Sequence, residues 1–172
     1  MLSFTSSLSP RTEGLVVFIN DKYEYKDKKS ILSNSLVLKI NSFLSLLKKK
    51  KSEEEISSFD ASDKVKFFIV KVKNKYESYF PQELGGSFYS YLKKFKHINE
   101  IDFYVDSLDF DKEKLVSFIS QFTFGFNLKS YTFTKYKTSD KEKNNKKINF
   151  KINFFVNFFF IQSFVFIKCV AF

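Results

Sequence analysis

The sequence is poor in the residues that carry most catalytic and metal-binding chemistry. Its 172 residues include one histidine, one cysteine and no tryptophan, and Arg11 is the single arginine. With Cys169 alone, no intrachain disulfide can form, which fits a reducing compartment. The amino terminus has no basic segment followed by an apolar run. No secretory signal is therefore predicted, and a cytoplasmic location is expected.

Motifs for nucleotide binding and hydrolysis are also missing. Gly85 and Gly86 lack the GxGxxG or GxxxxGKS/T spacing of phosphate-binding loops, so we expect them to pack a helix closely on a sheet. His97 follows an apolar helical stripe without a second metal ligand, which favours an exposed helix end. Cys169 has no activating neighbour in the sequence. We therefore assign no catalytic, cofactor-binding or metal-binding residue.

Lysine and phenylalanine are in excess. The chain has a net charge of +10 and 25 phenylalanines, a bias typical of AT-rich coding DNA. A basic chain can bind nucleic acid or anionic lipid by neutralising phosphates. Lysine, however, lacks the forked geometry with which arginine recognises phosphates and bases. The lysines at 48–51 precede the glutamates at 53–55, which favours a solvated loop over a polyanion site.

Hydrophobic patterning predicts strands that alternate with helices. Short apolar runs at 14–20, 65–70 and 101–106 are typical of strands buried on both faces. Apolar residues at three- and four-residue spacing predict three helices. Lys48 to Lys51 suit the carboxyl end of the first helix, and Pro81 suits the first turn of the second. Asp109 or Asp111 is expected to cap the amino end of the third. The order predicts an α/β fold: three layers, with a mixed or mostly parallel sheet flanked by helices.

Three segments are predicted along the chain: a domain at 1–138, a lysine-rich linker at 139–151 and a hydrophobic tail at 152–172, irregular or helical. The 21-residue tail has three interpretations. It is long enough for a membrane anchor, although Asn153, Asn157, Gln162 and Lys168 interrupt it. It could instead add a buried strand pair. The third interpretation is out-of-frame translation of AT-rich DNA after a frameshift.

Residues 124–138 resemble the end of the amino-terminal domain of leucyl aminopeptidases, a family of metallopeptidases. The chain keeps the family's glycine, serine-tyrosine pair, phenylalanine and tyrosine-lysine-threonine ending, as Gly125, Ser130, Tyr131, Phe133 and Tyr136-Lys137-Thr138. Residues 15–20 and 65–70 resemble two core strands of that domain, and 84–92 its glycine-containing helix. The resemblance covers about residues 3 to 138.

This resemblance implies a non-catalytic α/β domain similar to a macro domain. In the family, a second domain binds two divalent metals, zinc or manganese, and removes amino-terminal residues from peptides. Its metal-ligand signature has no counterpart here, so we expect this chain to be inactive alone and to need no cofactor of its own. Other aminopeptidase subunits are expected partners, since family enzymes form hexamers. The alternative is a stand-alone macro-like module whose basic surface binds nucleic acid or nucleotide. A membrane is a further expected partner if residues 152–172 act as an anchor.

Overall fold

A computed structural model describes residues 2–5, 11–25, 32–131 and 149–153, with only the backbone described for 2–5 and 149–153. These residues form six strands, three α-helices and one 3₁₀ turn. In chain order they are β1 (Leu2–Thr5), β2 (Gly14–Asn20), α1 (Asn34–Lys49), β3 (Ile56–Asp60), β4 (Lys66–Val72), α2 (Phe80–Leu92), β5 (Glu100–Tyr104), the 3₁₀ turn (Val105–Ser107), α3 (Lys112–Ser130) and β6 (Asn149–Asn153).

The strands form one sheet in the order β1-β6-β5-β2-β4-β3. Every described strand pair is parallel except β3 with β4. The central strand β2 pairs with β4 and β5, so that Val16 lies between Phe68 and Phe103. The predicted α/β fold with a mostly parallel sheet is therefore confirmed.

Side chains alternate along β2 between two hydrophobic clusters on opposite faces of the sheet. Val16 and Phe18 belong to a cluster that includes residues of α2 and α3, such as Phe88 and Phe122. The other cluster contains Leu15, Val17 and Ile19 from β2 and Ile40 and Leu44 from α1. Helices therefore cover both faces, because a strand that is apolar on both sides must be shielded from water on both sides.

Three predicted helix signals are found where the sequence placed them. The Asp111 carboxylate accepts a hydrogen bond from the Lys114 backbone N–H at 2.8 Å, so Asp111 caps α3. Pro81 lies in the first turn of α2, where its missing N–H costs no helical hydrogen bond. Lys48 and Lys49 occupy the last turn of α1 and are exposed, next to its partial negative charge.

The sequence-based elements need four corrections. Patterning missed β1, Leu2–Thr5. It also missed β3, since only Ile56 and Phe59 are apolar in that strand. The third predicted strand, 101–106, ends at Tyr104 and continues into the 3₁₀ turn. Residues 149–153, expected in the linker and the start of an irregular or helical tail, form β6, which pairs with β5 and β1.

The end of the predicted domain, 132–138, and the rest of the linker and tail, 139–148 and 154–172, lie outside the described residues, so the domain boundaries stay a prediction. The proposed membrane anchor also falls there. No helix within the described ranges is long and apolar enough to cross a membrane.

Two glycines set the distance between α2 and α3. A Cβ added at Gly85 would overlap the Phe122 carbonyl oxygen, and one added at Gly125 would overlap the Gln82 carbonyl oxygen. The close packing predicted for Gly85 is thus real, but its partner is a helix rather than the sheet. The contact is between backbone atoms of the two helices, so rotating a side chain cannot make room for an added methyl group.

We expect Gly125→Ala to destabilise the chain by about 1–3 kcal/mol, because the helices must separate to admit the methyl group. The gain in helix propensity, about 1 kcal/mol, offsets only part of this cost. The measurement is urea unfolding of the full chain.

Gly86→Ala is the matched control. Its added Cβ would lie 3.6 Å from the Gly125 carbonyl oxygen, an ordinary contact, so propensity should make it neutral or stabilising. Equal effects of the two substitutions would contradict the close helix crossing.

Candidate functional site

The edge of the sheet formed by the carboxyl ends of β2, β4 and β5 is the expected place for a ligand. The chain leaves β2 through α1 toward β3 and β4, and it leaves β5 through α3 toward β6 on the opposite side. Such a divergence between neighbouring parallel strands opens a crevice at their carboxyl ends, where open α/β sheets bind ligands. The relevant residues follow Ile19, Val72 and Tyr104.

A cavity does lie at this edge, but it is small. Its volume is about 120 Å³, and its polar lining comes from Asn20, Glu24, Asn74, Ser107 and Asp109. Pockets for drug-sized or cofactor-sized molecules occupy roughly 300–1,000 Å³. The cavity is therefore too small to enclose a nucleotide unless the surrounding loops move.

Polar groups of the loop after β2 are held by local hydrogen bonds at the rim of the cavity. The Asn20 Oδ1 accepts hydrogen bonds from the Lys22 and Glu24 backbone N–H groups, both at 3.0 Å, and its Nδ2 donates to the Glu24 carboxylate at 2.8 Å. The Asn74 Nδ2 donates to the Asp21 carboxylate at 2.8 Å, which ties the loop after β4 to the loop after β2. The polar groups at the rim are thus engaged within the protein.

Ser107 seals the inner side of the edge. Its buried hydroxyl accepts a hydrogen bond from the Phe18 backbone N–H at 2.9 Å and donates to the Tyr104 carbonyl oxygen at 2.7 Å. These two bonds join β2 to the 3₁₀ turn after β5. Both partners belong to strands of the sheet. The Ser107 hydroxyl therefore stabilises the fold at the edge where a ligand is expected to enter.

The loops at this edge lack the features of a phosphate-binding site. Asp21, Glu24 and Asp109 place three carboxyl groups around the cavity and its rim, and no glycine lies in the loops that follow β2, β4 or β5. Phosphate sites in comparable sheets use glycine-rich turns and exposed backbone N–H groups. Within the described ranges, no group of three or more histidine, cysteine, aspartate or glutamate side chains could hold a metal ion. These residues therefore do not fit a two-metal centre.

His97 is exposed beyond the end of α2, as predicted.

Several lysines lie over aromatic rings of the protein itself. A lysine over a ring gains a cation–π attraction of about 0.5–1 kcal/mol at an exposed site. The Nζ-to-centroid distances are 4.2 Å for Lys114 over Phe110, 4.8 Å for Lys94 over Tyr91, 4.9 Å for Lys73 over Phe80 and 5.0 Å for Lys66 over Phe95.

The same aromatic packing shifts one titrating group. Tyr76 lies against Phe80, Phe110 and Phe118 near this edge. Burial raises the pKa of the Tyr76 phenol, because the phenolate would lose its hydration. The Tyr76 ring is half-buried and packs against the hydrophobic cluster that contains residues of α2 and α3.

Sequence analysis assigns no binding role to the residues of this edge. Asn20 and Asp21 directly follow the first predicted strand, and Asn74 follows the second. Polar residues at that position are the signal that would have located the edge. Their mutual hydrogen bonds, which close it, depend on loop geometry that the sequence does not reveal.

The fold and this edge define an α/β domain of macro-like type, and comparisons with solved structures agree. No family model and no curated protein sequence matches the chain. A mutant of tomato leucine aminopeptidase superimposes with a TM-score of 0.69 at 13% identity, covering 95% of this chain and 34% of the enzyme. The chain therefore spans about a third of that enzyme's length.

Two macrodomains are also similar. The macrodomain of Thermus aquaticus DarG gives a TM-score of 0.61 at 8% identity, covering 90% of this chain and 98% of the macrodomain. That of Mycobacterium tuberculosis DarG gives 0.58 at 10% identity, covering 89% and 97%. At such identities these similarities establish the fold alone.

We expect Ser107→Ala to lower the free energy of unfolding by about 1–3 kcal/mol, since it leaves the buried Phe18 N–H without its acceptor. Ser45→Ala is the control: the Ser45 hydroxyl bonds to the Asn41 carbonyl on the exposed side of α1, and its loss should change stability by less than about 0.5 kcal/mol. Urea unfolding measures both. A Ser107 variant as stable as the control would refute the sealing role.

Proposed function

We propose that this chain is the non-catalytic amino-terminal domain of a leucyl aminopeptidase and acts in peptide turnover together with a metal-binding catalytic domain. The proposal is carried by the sequence resemblance together with a fold similar to that of a leucine aminopeptidase. The glycine and serine-tyrosine pair of the sequence resemblance fall at the end of α3, as Gly125, Ser130 and Tyr131. The fold match to a leucine aminopeptidase covers 95% of the chain.

The closed edge of the sheet also favours an accessory role. A domain that binds a nucleotide needs an open crevice. Here Asn74 bonds to Asp21 between the loops after β4 and β2, and Asn20 bonds to Glu24 within the loop after β2. In this proposal the two zinc or manganese ions bind to the catalytic domain and not to this chain. The expected partners are further aminopeptidase subunits, and the expected location is the cytoplasm.

The coding DNA tests the proposal most simply. We expect a reading frame downstream of the codon for Lys151 to encode the Asn-Thr-Asp-Ala-Glu-Gly-Arg-Leu signature of the catalytic domain. If no frame encodes that signature, the assignment to a leucyl aminopeptidase fails.

Activity provides a second readout. The chain alone should release no product from a chromogenic leucyl substrate when zinc or manganese is added, because its described residues do not fit a two-metal centre. Metal-dependent turnover by the pure chain would contradict the non-catalytic role.

A stand-alone binding module for nucleic acid or nucleotide is the second candidate. It is favoured by the two macrodomains, whose whole length the chain nearly covers, and by the net charge of +10. A DNA mobility shift that weakens steeply between about 50 and 200 mM salt would support it, since each neutralised phosphate releases a counterion. No shift at the lower salt concentration would remove it.

A further inference from the structure

The outer face of α2 carries a polar stripe that no other described element covers. Glu83, Ser87 and Ser90 are exposed on it, and Lys94 is exposed in the turn that directly follows the helix. At 100° per residue the three helical positions fall within about 60° of the helix circumference. Spacings of four and three residues place side chains on one face of a helix.

This stripe forms the floor of a broad groove of about 1050 Å³. One wall comes from the start of β3 and the end of β4, where Lys73 and Glu55 form an ion pair at 3.2 Å. The other wall is the end of α3, where Leu128 is 64% exposed. Small side chains on the floor leave the α2 backbone accessible to another helix.

The stripe is complementary to itself. Glu83 and Lys94 lie at its two ends, about 16 Å apart along the axis, with Ser87 and Ser90 between them. A two-fold axis midway between the serines would place each Glu83 opposite Lys94 of a second copy and each Ser87 opposite Ser90. Across a two-fold axis, such a surface fits its own copy.

The two charges are also available for a partner. Among the described residues neither Glu83 nor Lys94 forms an ion pair, and the Lys94 Nζ lies 4.8 Å from the centroid of the Tyr91 ring. Eleven positions separate Glu83 from Lys94 along α2 and the turn after it, too far for these two side chains to contact each other.

We propose that this surface, the α2 stripe with Leu128 beside it, is a self-association site through which two copies of the chain pair with their α2 helices antiparallel. The site has few large apolar side chains, so the dimer is weak and transient. This inference does not rest on the proposed function, because it needs neither a catalytic domain nor a ligand.

Charge reversal in the full chain tests the pairing. Glu83→Lys and Lys94→Glu each replace two attractive contacts with two repulsive ones, so each variant alone should associate about 10-fold more weakly. An equimolar mixture of the two should regain the wild-type association, since the lysine introduced in one variant then faces the glutamate introduced in the other. Sedimentation equilibrium up to roughly 1 mM protein measures both.

Asp63→Lys and Lys49→Glu are the controls, because they make the same charge changes at exposed positions away from the groove. Circular dichroism checks that every variant is folded. A monomeric wild type, or association that is the same in wild type, single variants and mixture, overturns the proposal. If residues 154–172 drove the association, charge changes on α2 would not affect it, and wild type, single variants and mixture would associate equally.

Discussion

The double burial of β2 is the constraint on which the rest of this structure depends. Val16 and Phe18 face one side of the sheet and Val17 and Ile19 the other, and all four are at most 2% exposed. A single strand with two apolar faces requires helices on both sides. Helix α1 covers one face, while α2 and α3 together cover the other and must therefore lie side by side. Gly85 and Gly125 make that close arrangement possible.

The same architecture creates the edge where a ligand would be expected, and the loops then close it. Polar residues after β2 and β4 bond to one another, and Ser107 joins β2 to the turn after β5. No glycine lies in the loops that follow β2, β4 or β5. The chain thus has a macro-like fold whose expected ligand edge holds only a small cavity.

The core of this fold follows from sequence patterning, and its periphery does not. The apolar runs of β2, β4 and β5 are too long and continuous for exposed loops. Asp111 and Pro81 mark the starts of α3 and α2, because a carboxylate caps free backbone N–H groups and proline suits a first helical turn. Strand β3 could not be predicted because Ser57, Ser58 and Asp60 are polar, and only its pairing with β4 makes it a strand. Strand β6 was hidden within a lysine- and asparagine-rich context, where its alternation of Phe150 and Ile152 with polar residues spans only five positions.

The most direct measurement of the closed edge is a titration of the labelled chain with ADP, followed by the NMR shifts of its backbone amides. If the edge is sealed by its own side chains, the amides from Phe18 to Glu24 and near Asn74 and Ser107 should not shift, even at millimolar nucleotide. A saturable shift confined to those amides would contradict this account and establish the chain as a nucleotide-binding module.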